Sequence, residues 1–194
     1  MKQMEISLKD NAKIIVREET SKDIDALMKF FHGLPYEDRK YLRVDVLNRE
    51  IIVKKLSMIG TNQVVRIVAL HENEIVAQGL LEFDSDTWRR NQAEIRVLVA
   101  DNFRGRGLGM IMIRELYFVA MPKNVDLIIT KIMRPQIATK HIFRKFGFRE
   151  EHIIPDYVTD LEGEKQDLII MICNVRELER ELEYFFDKKD LQRE

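Results

Sequence analysis

The run Asp101-Asn102-Phe103-Arg104-Gly105-Arg106-Gly107-Leu108-Gly109-Met110 carries the clearest chemistry in the chain. An apolar run, 95–100, leads into it, and a helix-period run, 108–120, leads out. The spacing therefore predicts a strand, a glycine-rich turn and a helix. Such a turn sets successive backbone N–H groups at the positive end of a helix dipole, an arrangement that binds phosphate oxygens. The glycines permit the bend and let a ligand approach the main chain closely. Two familiar phosphate loops are excluded by spacing. Met110 stands where a dinucleotide loop starting at Gly105 needs its third glycine, and no Gly-Lys-Ser/Thr occurs anywhere.

Other reactive side chains give weaker signals. His32, His71, His141 and His152 are scattered without metal-ligand spacing, so no metal site is expected. Cys173 lies in the apolar run 168–172 and reads as a core residue, with no basic partner near it in sequence. Trp88 sits on a strand connection and is expected to pack on its own sheet. Arg144 and Lys145 read as exposed helix charges.

Composition bounds the classes. The chain has 194 residues, 45% hydrophobic and 34% charged, enough for one globular domain with a real core. A formal net charge of -1 provides no basic excess for general nucleic-acid binding. No secretory core opens the chain and no apolar run is long enough for a bilayer, so a cytoplasmic protein with no membrane partner is expected. A single cysteine forms no internal disulfide, in keeping with a reducing compartment.

The elements that must position the loop follow in order. Residues 13–17 read as a strand. Thr20-x-x-Asp23 resembles a helix-start box before Ile24, Leu27, Met28 and Phe31, and Gly33 stops that helix. The stretch 34–46 holds a turn and a short helix. Asn48 caps a further helix carrying Ile52, Leu56 and Ile59, ended by Gly60. Strands are expected at 63–71, 74–83 and 93–100, as an antiparallel meander. After the loop helix come a strand at 125–132, a helix opened by Pro135 and stopped by Gly147, and strands at 148–154 and 166–173. Val175, Leu178, Leu182, Phe185 and Phe186 give an amphipathic C-terminal helix.

The pattern Arg104-x-x-Gly107-x-Gly109 resembles the Arg/Gln-x-x-Gly-x-Gly/Ala signature of the GNAT superfamily of acyl-CoA N-acetyltransferases. The element order is also that of the family. A second segment, Ile142-Phe143-Arg144-Lys145-Phe146-Gly147-Phe148, resembles the family's aromatic-x-Lys-x-Gly-Phe helix ending. The resemblance implies an α/β GNAT fold: a mixed, mostly antiparallel sheet of about seven strands flanked by four helices, plus the C-terminal helix. The domain is expected over 1–174, with 175–194 as its helical extension.

The resemblance further implies a site. Arg104, Gly105, Arg106, Gly107, Leu108 and Gly109 would cradle the pyrophosphate of acetyl-CoA as co-substrate. Main-chain groups of Leu98, Val99 and Ala100 would pair with the pantetheine arm, as a missing strand would. Gln136 and Phe143 stand where the family has an asparagine and a tyrosine beside the thioester, so a tyrosine general acid is missing. Glu94 lies in an Ala-Glu-Ile context like that of members acetylating protein lysines, where the glutamate acts as base through water. Burial is expected to raise its pKa toward that task.

The implied activity is direct transfer of acetyl to a primary amine, on a small molecule or a protein lysine. The stretch 34–42, with Tyr36, Arg39 and Tyr41, resembles that of bacterial protein-lysine acetyltransferases. The alternative is a non-catalytic acyl-CoA sensor. A monomer or homodimer is expected, with no nucleic-acid partner.

Overall fold

A computed structural model of the chain describes residues 3–57, 61, 63–84 and 87–180. The strands are β1 (Met4–Ser7), β2 (Lys13–Glu18), β3 (Val64–His71), β4 (Glu74–Phe83), β5 (Gln92–Val99), β6 (Leu127–Met133), β7 (Arg149–Thr159) and β8 (Lys165–Asn174). The helices are α1 (Ile24–His32), α2 (Tyr36–Arg39), α3 (Arg49–Leu56), α4 (Leu108–Ala120) and α5 (Ile137–Lys145). The strands form one sheet in the order β1-β2-β3-β4-β5-β6-β8-β7. Only β5 and β6 run parallel; every other pair is antiparallel. This is the mixed, mostly antiparallel α/β sheet expected.

Period-two alternation along the strands divides the core between the two faces. On one face Ile67, Leu81, Ala93, Ile95 and Ile128 pack with Leu108, Met112, Ile113 and Leu116 of α4 and with Phe143 of α5. On the other, Val68 and Ile75 pack with Leu27, Phe30 and Phe31 of α1 and Ile52 and Leu56 of α3. Each such side chain contributes roughly 1.5–3 kcal/mol on burial. Contact between α4 and β4 is close: a Cβ on Gly79 would lie 2.9 Å from Leu116 Cδ1 and 3.0 Å from Ile67 Cγ1.

Helix starts follow local chemistry. Asp23 Oδ2 accepts from the Thr20 N–H at 2.7 Å, and Arg17 clamps the same carboxylate at 2.7 and 2.8 Å, fixing the entry to α1. Asn48 Oδ1 accepts from the N–H groups of Glu50 and Ile51 at 3.0 and 3.3 Å, capping α3. Val175 and Leu178 begin a helix over 175–180 and pack on the α4-side core. Ile59 and Gly60, and Leu182, Phe185 and Phe186, lie outside the described residues.

The differences from expectation have physical causes. The described residues form eight strands, because Met4–Ser7 adds an edge strand on β2, paired from Met4↔Val16 to Ser7↔Lys13. β7 continues past Ile154 to Thr159 even though Pro155 interrupts it. Its register slips between Ile154 and Val158, and an edge strand tolerates a proline with a bulge. Trp88 is 94% exposed on the turn before β5, not packed on the sheet. Cys173 is buried in β8, as expected.

Candidate functional site

The two parallel strands at the centre of the sheet part company. β5 and β6 pair only through Gln92↔Leu127, Ala93↔Ile128 and Glu94↔Ile129. β5 nevertheless stays on β4 as far as Val99, and β6 stays on β8 as far as Met133. Beyond Glu94, therefore, a gap opens between two strands that are each held on their other side. Gln136 marks the far end of β6, where its Oε1 accepts from the Met133 N–H at 2.8 Å.

Which main-chain groups face this gap follows from the β4 ladder. The Ala100 N–H donates to the Val76 carbonyl at 2.8 Å. In an antiparallel pair the side of the strand alternates, so Ala100, Leu98 and Arg96 turn their N–H and C=O toward β4. Val97 and Val99 turn theirs to the gap, and Arg104 Nε reaches the Val99 carbonyl at 3.2 Å. Of the three residues expected to offer main chain to a ligand, Val99 turns its N–H and C=O to the gap. Leu98 and Ala100 do not, and Val97 takes their place. Leu98 borders the gap with its side chain.

The glycine-rich turn closes one end. Gly105 and Gly107 have φ of 71° and 92°, the left-handed region that glycine enters without strain. Nothing lies within 4 Å of a Cβ built on either, so the turn is an open cradle. Gly107 starts α4 with no side-chain cap, leaving the first N–H groups of that helix to a ligand. Gly109 packs under α5: its Cβ would lie 2.7 Å from Ile142 Cδ1. Arg104 borders the cleft and pairs with Asp38 of α2 at 2.8 Å. Arg106 turns to Asp10 at 2.5 Å and covers the Phe103 ring. Leu108 is a core side chain.

From the turn a cleft of about 480 Å³ runs past Val99, Leu98 and Val97, walled opposite by Gln136, Thr139, Ile142 and Phe143. It shares Tyr41, Leu42, Val97, Leu98, Gln136 and Phe143 as wall with an adjacent cavity of about 140 Å³. Phe143 is 1% exposed and packs edge-on to Phe148 with centroids 4.9 Å apart. The expected residues Leu98, Val99, Arg104, Gly105, Gly109, Gln136 and Phe143 thus surround one cleft.

Glu94 is placed differently. Its side chain, 17% exposed, lies at the last β5–β6 rung among Lys131, Arg43 and Arg96. Oε2 accepts from Lys131 Nζ at 2.8 Å, Arg43 contacts Oε1, and Arg96 Nε is 3.6 Å from the same oxygen. Burial raises its pKa, but the Lys131 hydrogen bond and the charges of Arg43, Lys131 and Arg96 outweigh it and hold the carboxyl below its usual value. The expected upward shift is therefore overturned, because three cations converge on the carboxylate. Sequence reasoning missed Arg43, Arg66, Arg96 and Lys131: each is an ordinary charge in its own segment, and only the topology gathers them. Among the described residues no group of three or more His, Cys, Asp or Glu side chains could hold a metal, and no helix is long and apolar enough to cross a membrane.

Solved structures with this fold include the GNAT domain of PAT from S. lividans, 17% identical with a TM-score of 0.74 over 89% of this chain and 96% of that one. The ribosomal-protein-S5-alanine acetyltransferase from Vibrio fischeri is 13% identical, with a TM-score of 0.73 over 88% and 96%. The ribosomal-protein-alanine N-acetyltransferase from Brucella melitensis is 24% identical, with a TM-score of 0.64 over 82% and 98%. No curated protein matches the chain. Residues 26–148, from α1 through the Gly147 turn, match the acetyltransferase (GNAT) family, and the chain belongs to that family of acyltransferase enzymes.

Proposed function

We propose that the protein transfers the acetyl group of acetyl-CoA directly to a primary amine. The observation that carries this reading is the parted β5–β6 pair, whose cleft starts at an open glycine cradle and shares its far wall with a second cavity. The N–H groups of 104–109 hold the pyrophosphate at the start of α4. The gap-facing main chain of Val97 and Val99 pairs with the pantetheine arm as a strand would. The thioester then lies near Phe143, and the amine reaches it from the second cavity.

The neutral amine nitrogen bonds to the thioester carbon, the carbon–sulfur bond breaks, the thiolate leaves, and the proton shed by the nitrogen passes to water. With a thiol pKa near 8.5 the thiolate is a fair leaving group, so water suffices to protonate it where Phe143 has no hydroxyl. Glu94 acts as a positioning residue: held ionised by three cations, it fixes Lys131, Arg43 and Arg96 around the acceptor rather than taking the amine's proton. Those cations disfavour an ammonium beside them, which lowers the acceptor's own pKa and delivers it neutral. No Cys or Ser among the described residues lines the cleft to carry an acetyl-enzyme, which favours the two substrates meeting in one complex. Amine-dependent thiol release from acetyl-CoA tests this: release rising with amine supports it, and release at the hydrolytic background with every amine contradicts it.

A further inference from the structure

The cavity beyond Val97 has an unusual charge balance. Its charged wall residues among the described residues are Arg43, Lys55, Arg66, Arg96 and Lys131, with no carboxylate. The carboxylates in ion-pair contact with them lie behind the wall. Glu94 serves Lys131, Arg43 and Arg96; Glu82 serves Arg96; Glu19 lies 3.7 Å from Arg66. Five cations thus share three carboxylates, and Lys55 has no ion-pair partner among the described residues. Burial pushes the Glu19 carboxyl up, against the Gln78 hydrogen bond and the Arg66 charge that lower it. Burial and the charges of Arg96, Arg66 and Arg43 outweigh Glu82 and hold the Lys55 amine below its usual value.

Arg66 marks the position most clearly. Its side chain is 7% exposed, Glu19 is its nearest carboxylate, and its Nε–H has no hydrogen-bond partner among the described residues. Arg96 Nε–H is likewise without one. A buried donor left unmade is costly, and a buried guanidinium more so. A ligand oxyanion in the cavity would offset the surplus charge of this wall. The remaining wall mixes apolar side chains such as Phe31, Ile52 and Leu80 with polar Gln78, Thr130 and Thr139.

We propose that the acceptor is a small amino acid, a primary amine carrying a carboxylate, with that carboxylate held by Arg66, Arg96 and Lys55 and its amine directed back along the cleft toward Val97. The inference rests on the acetyl-transfer reading above. A polyamine brings only positive charge and is repelled. A free amino acid's own carboxylate holds its α-amine above the ~7.7–8.0 of a peptide terminus, and wall cations that pair with that carboxylate offset the effect and favour the neutral amine.

The test compares L-alanine, L-leucine, L-phenylalanine and L-glutamate with their α-carboxamides. Spermidine, a neutral lysine-containing peptide and an acidic peptide form the other arms. Thiol release gives kcat/KM, and calorimetry in the presence of CoA gives affinity whether or not turnover occurs. For at least one amino acid we expect the carboxylate to exceed its amide by tenfold or more in both readouts, as loss of a charge-assisted hydrogen bond implies. Lys55→Gln, which breaks no described ion pair, should raise KM for that amino acid severalfold and leave the amide's unchanged. Arg66→Lys, which keeps the charge beside Glu19, should weaken binding of the amino acid with a native circular dichroism spectrum. Equal use of acid and amide, or preference for spermidine or either peptide, overturns the inference while leaving acetyl transfer standing. Selective binding of the amino acid without turnover supports the cavity assignment and contradicts acetyl transfer instead.

Discussion

Lys131 Nζ stands 2.8 Å from Glu94 Oε2, tying β5 to β6 at the last rung before the strands part. The pair lies at the acceptor end of the cleft, and its energetics are those of a partly buried ion pair with Arg43 and Arg96 attached. Replacing Glu94 with Gln keeps the shape and releases three cations. Loss of a general base costs on the order of 10²–10⁴-fold in rate, whereas loss of a positioning residue costs less. We expect Glu94→Gln to lower kcat/KM by less than about tenfold, mostly through the acceptor KM, with an unchanged pH profile and recovery in Glu94→Asp. A hundredfold loss in kcat, together with loss of a pH-dependent limb, would reassign Glu94 as the base.

The same carboxylate predicts a pH dependence of stability. Its folded pKa lies below the reference value of 4.5, so its contribution is fully present above pH 4.5 and lost as pH falls through the folded pKa. The melting-temperature gap between wild type and Glu94→Gln should therefore be constant at neutral pH and close below pH 4.5. A gap that widens on acidification contradicts the ion-pair description.

Gly107→Glu tests the cradle. The site has open space for a side chain but a φ of 92°, so the variant carries local strain of about 1–2 kcal/mol and should still fold. The new carboxylate occupies the phosphate position with like charge. Calorimetry should show CoA binding abolished while the circular dichroism spectrum stays native. Unchanged affinity in the folded variant would remove the turn from the binding site.

Asp38 pairs with Arg104 at 2.8 Å, and on the proposed reading it would compete with the CoA phosphate for that side chain. Half-exposed ion pairs contribute up to about 1 kcal/mol, which is about fivefold in a binding constant. Asp38→Asn should tighten CoA binding by up to about that factor, and less at high salt. Weaker binding would mean that Asp38 orients Arg104 productively.

The legible part of this molecule was the part written in local signals. Glycines at 105 and 107 announce a backbone that other residues avoid, and two apolar β-rich runs, 64–71 and 74–83, around a short turn announce the β3–β4 hairpin. Met4–Ser7 was illegible because four residues carry no period, and the reach of β7 was hidden by Pro155. The gap-facing role of Val97 depends on the register of β5 against β4, which neither strand encodes alone. The cation cluster was hidden for the same reason. Arg66 comes from β3, Arg96 from β5, Lys131 from β6 and Arg43 from the segment before α3, and only the sheet order makes them neighbours.

Phe143 tests whether the missing hydroxyl matters. Its ring borders both parts of the cleft. Phe143→Tyr should change turnover by less than about tenfold, or roughly 1.4 kcal/mol in the barrier. A rise of a hundredfold or more would show that protonation of the thiolate limits the wild-type reaction.

Direct transfer in a single complex is the central claim, and initial rates measured while both substrates vary test it most directly. Thiol release from acetyl-CoA should be saturable in acetyl-CoA and in the amine, with intersecting double-reciprocal lines and one N-acetylated amine found by mass spectrometry per thiol released. Parallel lines, or thiol release without acetylated amine, would contradict the account.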